Sequence, residues 1–231
     1  MLRRTFRATL VAYCLVFAGS HAAPVVLAVQ ASAANRAPAE VTFILDFPGS
    51  QPEHYLIRVP AEGAAHYESS GRVSADSDDS DNFAYDFSIS NETRSKIFAL
   101  AEKAGYFQKD LDAHAKKIAF TGKKTLRYAG AAQSGEGTYN YSAISAVQEL
   151  TALFQNLSAT LEFGHRLDYD HRYQKLALDG ELKRMQELAE RNLLSEMKAI
   201  QPVLEQIVAD PSVINVARAR AQRMMAEGNG R

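Results

Sequence analysis

The stretch Thr138–Leu161, TYNYSAISAVQELTALFQNLSATL, changes its apolar period partway along. Thr138 to Tyr141 reads as a short strand. From Ser142 onward, Ile144, Val147, Leu150, Leu153, Phe154, Leu157 and Leu161 recur every three to four positions, which predicts a long helix. Strand-type sequence lies before this point and helix-type sequence after it. Segregation of this kind predicts an α+β fold: an antiparallel sheet with one covering helix, followed by an all-α helical region.

Upstream, Val41 to Asp46 reads as a strand, and Phe47 to Pro52 is dense in turn residues. His54 to Val59 alternates, with Tyr55, Ile57 and Val59 on one face. A turn around Gly63 leads to a return strand beginning at His66-Tyr67-Glu68. Ser74 to Asn82 is an acidic loop. Phe83, Tyr85, Phe87 and Ile89 fall on every second residue and predict a further strand. Ser90 or Asn91 then caps a helix whose apolar stripe is Ile97, Phe98, Leu100 and Ala101, and Gly105 stops it. Lys117–Phe120 and Thr125–Tyr128 flank Thr121-Gly122-Lys123-Lys124, which reads as a hairpin, and Gly130–Gly137 reads as a flexible connection.

Downstream, Leu178, Leu182, Met185, Ala189 and Leu193 mark a second long helix. Met197, Ile200, Leu204 and Ile207 mark a third, Asp210-Pro211-Ser212 a self-capped turn, and Ile214, Ala217, Ala221 and Met224 a fourth helix. The expected divisions are a leader over 1–33, a linker over 34–40, a small α+β domain over 41–141, a helical region over 142–227 and a disordered tail over 228–231.

The front half, in its order of strand, strand pair, aromatic strand, Ser-capped helix and Gly-centred hairpin, resembles small exported bacterial modules of uncharacterised function. The resemblance implies no activity. The tail is similar to one HEAT-type helical hairpin, with Pro202, Leu204, Asp210, Pro211, Val216, Arg218 and Ala221 near the places that pattern wants them. Solenoid repeats stabilise one another and need about three units. With a single copy, an ordinary helix pair is the expectation.

The N-terminus reads as a secretory signal peptide: Arg3, Arg4 and Arg7, then an uncharged run from Ala8 to Gly19, then small residues. Cuts after residue 22, 28 or 33 all fit. No charge occurs from Ala8 to Ala34, so an uncleaved anchor is the alternative, opposed by Gly19, Ser20, His21 and Pro24 within the run. Arg3-Arg4-Thr5-Phe6 partly matches a twin-arginine signal, and the Sec route is the main expectation. The location expected in a bacterial host is periplasmic or secreted.

Cys14 is the only cysteine and would leave with the leader, so disulfides, thiol catalysis and Cys–metal sites are excluded from the mature chain. Loss of Arg3, Arg4 and Arg7 takes the 26 basic residues to 23 against 27 acidic ones, a net charge of −4. That balance argues against nucleic acid as a partner, and against a membrane surface unless the N-terminus is an anchor.

Candidate chemistry lies in two places. Asp76, Asp78, Asp79 and Asp81 crowd one loop, as oxygen ligands for a hard cation would. Counting from Asp76, the sixth and twelfth EF-hand positions hold Asp81 and Phe87, so that motif fails. Glu162-x-x-His165 has the spacing used in di-iron bundles, but such sites need a second copy and further Glu residues. Around Gly122-Lys123-Lys124-Thr125 the residues a phosphate loop requires are replaced by Lys117 and Lys124. His54, His66 and His114 have no nucleophile elbow to serve. No catalytic residue and no cofactor are assigned. The expectation is a non-catalytic binding or interaction module of the cell envelope, meeting another envelope protein or a second copy through its helical region. A hydrolase or metal-dependent enzyme of unfamiliar type is the alternative.

Overall fold

The first strand, β1 (Glu40–Asp46), lies inside the sheet, and its buried residues Val41 and Phe43 meet apolar partners on both sides, whereas Leu45 meets Tyr55 on one side and Lys124 on the other. Phe43 stands opposite Ile57 of β2 (His54–Pro60) and opposite Leu126 of β5 (Lys123–Ala129). β3 (Ala65–Arg72) and β4 (Ser80–Phe87) extend one side, and β6 (Ser134–Tyr139) closes the other. The order is β4-β3-β2-β1-β5-β6, with every neighbouring pair antiparallel. The protein, seen in a computed structural model, is described over residues 38–72 and 80–229. By their contacts the described residues fall in one unit, within Arg36–Arg231. The expected leader and three of the four loop aspartates, Asp76, Asp78 and Asp79, lie outside the described residues.

Alternation puts Tyr55, Ile57 and Val59 of β2 into the core, as the sequence predicts. Two helices cover that face. α1 (Asn91–Lys103) is capped by Ser90, whose Oγ accepts the Thr93 amide at 3.2 Å, and buries Ile97, Leu100 and Ala101. α2 (Ser145–Tyr173) shares the cover with it: Phe154 stacks on Phe43 with ring centroids 5.1 Å apart. Each such fully buried ring or leucine contributes about 1.5–3 kcal/mol of transfer free energy. The helical region therefore rests on the sheet through α2, which also carries α3 (Leu178–Glu190) and α4 (Gln201–Ala209). α5 (Asn215–Asn229) packs on α3 and α4. No helix among the described residues is long and apolar enough to cross a membrane.

Three local expectations are corrected. The predicted hairpin at Thr121–Lys124 is not one: Lys123 and Lys124 are already inside β5, and the hairpin turns later, where the Gly130 amide donates to Gln133 O at 2.9 Å. The reason is the Lys124 side chain. It is buried, and its Nζ lies within hydrogen-bond distance of Thr121 O, Thr121 Oγ1, Gly122 O and Asn140 O (2.9–3.2 Å). Burial holds its pKa below the usual lysine range. Ile118 and Phe120 form no strand and stay exposed. The predicted third helix splits into a 3-10 turn, Met197–Ile200, and α4, where Pro202 sits in the first turn and needs no amide partner. The expected tail begins inside α5, which runs to Asn229.

Candidate functional site

β4 ends the sheet. Its register places Asp81, Phe83 and Tyr85 on the helix side, opposite Gly71, Ser69 and Tyr67 of β3. α2 passes over this corner and presents Ser158, Glu162, His165, Asp168 and Arg172, spaced three or four residues apart and so along one stripe. Of the three sequence candidates that the described residues include, Asp81, Glu162 and His165, two thereby meet: Nε2 of His165 lies 3.1 Å from Oδ2 of Asp81. The His165 ring also lies flat on Phe83, with centroids 4.2 Å apart and planes at 18°.

Glu162 turns the other way, toward β3. Tyr67 Oη and Ser69 Oγ both donate to its Oε1 at 2.7 Å, and Tyr67 Oη is 2.9 Å from Ser158 Oγ. Burial raises the Tyr67 pKa strongly and the Glu162 charge adds to it, so the phenol stays a donor. Glu162 and His165 thus serve different partners. The Ser69 hydroxyl faces a carboxylate, whereas His165 faces Asp81. Among the described residues no group of three or more His, Cys, Asp or Glu side chains is placed to hold a metal ion.

Beside this corner runs an open groove of about 240 Å³. Phe83 and Tyr85 form one wall, and Pro202, Val203 and Gln206 of α4 the other. Gly164 of α2 and Ile200 form its floor, where the close approach depends on glycine: a Cβ at Gly164 would stand 2.5 Å from Ile200 Cγ2. Tyr85 Oη donates to Ala199 O at 3.0 Å and holds the far end together. The rim carries His165, Asp168 and Arg172, with Arg172 bonded to Asp168 at 2.9 Å. Two exposed tyrosines, Tyr169 and Tyr173, continue α2 beyond it with their rings 5.1 Å apart. A second cavity of about 240 Å³, around Ser90 and Met197, is crossed by its own polar groups: the Glu196 carboxylate accepts from the Ser90 amide and hydroxyl.

The other described histidines follow one theme. His54 pairs with Asp46 (2.6 Å), His66 with Asp86 (2.5 Å) and Glu68 (2.7 Å), His114 with Asp110 (2.7 Å) and His171 with Asp210 (2.9 Å). Sequence reading did not find these pairs, because most of the partners come together only through strand register or helix packing. Asp210 also accepts from Lys175 and Ser212, which together hold its pKa well below the usual carboxylate range. Comparison with protein-family models, with characterised proteins and with solved structures finds no match.

Proposed function

We propose that this chain is a non-catalytic binding module whose ligand occupies the groove between β4, α2 and α4. The observation that carries this reading is the groove itself: an apolar floor, a rim of a few charged groups and, alongside, the outer edge of β4, to which no other described strand pairs. The exposed Tyr169 and Tyr173 next to it favour a macromolecular partner, since tyrosine is enriched where proteins meet. An envelope location follows from the leader-like N-terminal sequence, and the mass of the mature product from its native host tests it.

The groove reading is tested with the apolar dye anilinonaphthalene sulfonate and the full chain. The wild type is expected to bind the dye. Val203→Trp, whose indole fills the groove from its α4 wall, is expected to lose that binding with an unchanged denaturation midpoint. Equal dye binding by both proteins counts against the groove.

A further inference from the structure

We infer that the ligand is an extended peptide segment, alternately apolar and basic, that adds to the sheet as a further strand on β4. This rests on the groove being the binding site and goes beyond it by naming the partner's conformation and charge.

The two ends of the sheet are finished differently. At β6, the Gln108 side chain donates to Ser134 O (3.3 Å), and the Ala113 amide donates to Tyr141 O (2.8 Å) just past the strand. At β4, no described residue outside β3 exchanges a backbone hydrogen bond with the strand. Edge strands are commonly guarded by proline or an inward lysine. β4 reads SDNFAYDF and has neither. Its two charges are Asp81, held by His165, and Asp86, held by His66.

An added strand continues the alternation of its neighbour. Every second side chain would lie on the helix side, against Phe83 and Tyr85 in the apolar groove. The others would lie on the open side, beside Asn82, Ala84 and Asp86. Among the described residues the open side carries the carboxylates of Asp86 and of Glu68, the latter paired with Arg58, while Asp81, Asp168 and Arg172 lie on the helix side. Asp86 is 75% exposed, which leaves oxygen lone pairs free for a further cation. Apolar residues toward the groove and basic ones toward Asp86 therefore complement the strip. The β4 of a second copy, SDNFAYDF, carries no lysine or arginine to offer Asp86.

The test uses the full chain and three octapeptides: lysine alternating with valine, glutamate alternating with valine, and a block peptide of four valines followed by four lysines. Affinity is read by titration, and contact by amide exchange across β4. Lysine–valine is expected to bind about tenfold tighter than glutamate–valine and to protect β4 amides. Asp86→Lys is expected to reverse the preference. Equal binding of the two alternating peptides, or binding of the block peptide as tightly, overturns strand addition. So does β4 protection that appears with dimer formation in light scattering and without peptide. Groove-dependent dye binding with no peptide binding removes this inference and leaves the groove reading standing. Failure of both probes removes both.

Discussion

His165 and Asp81 tie α2, the longest described helix, to the second residue of the edge strand, with Nε2 and Oδ2 3.1 Å apart. The pair is partly exposed, so its ionic part is worth at most about 1 kcal/mol. The flat contact of the same imidazole with Phe83 adds about 0.5–1.5 kcal/mol of ring packing. The two contributions separate by mutation. Asp81→Asn is expected to cost less than about 1 kcal/mol in urea denaturation, and His165→Ala about 1–2 kcal/mol. Faster amide exchange confined to β4 would accompany the second. Equal costs for the two variants would show that the ring contact contributes nothing.

His66 sets a pH dependence of definite sign. Its bond to Asp86, helped by Glu68, raises its pKa above 6.5, against a smaller opposing effect of burial and of Arg58. A raised folded pKa stabilises fully below the unfolded value and ceases to stabilise as pH climbs through the folded value. Glu68, lowered first by its bond to His66, contributes above its own unfolded pKa and loses that contribution in acid. The difference in stability between wild type and His66→Gln is therefore expected to be largest in the mildly acidic range, at about 0.5 kcal/mol, and to shrink toward pH 9. NMR titration of the ring should give a midpoint above 6.5. A midpoint at or below that value would contradict the pairing.

The buried hydroxyls of Tyr67 and Ser69 converge on Glu162. Tyr67→Phe removes a donor to a charged acceptor and is expected to cost about 1.5–3 kcal/mol. Glu162→Gln keeps the shape and weakens both bonds, with an expected loss of about 1–2 kcal/mol. The double variant should cost clearly less than the sum, because one interaction is being removed twice. Strict additivity in thermal or chemical denaturation would refute the shared bond.

Glycine contacts of two kinds give a graded test. A Cβ at Gly164 meets a side-chain methyl, Ile200 Cγ2, whereas a Cβ at Gly135 meets the backbone oxygen of Tyr106 at 2.2 Å. Side chains give way and backbone does not. Gly164→Ala is expected to cost about 1–2 kcal/mol, with part recovered in Gly164→Ala/Ile200→Val. Gly135→Ala should cost more, about 3 kcal/mol, or prevent folding. Expression and denaturation midpoints of the three proteins rank them.

Much of the fold was legible because it depends on near neighbours. Tyr55, Ile57 and Val59 share a face by alternation alone. Ser90 caps α1 through its own Thr93, and Asp210 binds Ser212 two residues on. The misplaced hairpin shows where such reading stops. Thr121-Gly122-Lys123-Lys124 looks like a glycine-centred turn, yet oxygens gathered from Thr121, Gly122 and Asn140 hold the Lys124 side chain inside β5. The site was half legible for the same reason. Glu162 and His165 stood out by spacing, and Asp81 by its acidic company, yet their partners are chosen by the sheet edge on which α2 rests. Phe83 and Gly164, which shape the groove, carry no chemical motif.

The placement of α2 on the sheet also sets a timetable. Tyr67 meets its α2 partners, Ser158 and Glu162, 91 and 95 residues further along the chain. On a ribosome making roughly 5–20 residues per second, the interval between Phe43 and its stacking partner Phe154 lasts on the order of ten seconds. Throughout that interval all six strands emerge with much of their apolar side uncovered, and α1 alone shields part of it. A chain that ends before Phe154 lacks the α2 side chains that cover Phe43 and Tyr67, so their apolar strand face has only α1 to shelter it.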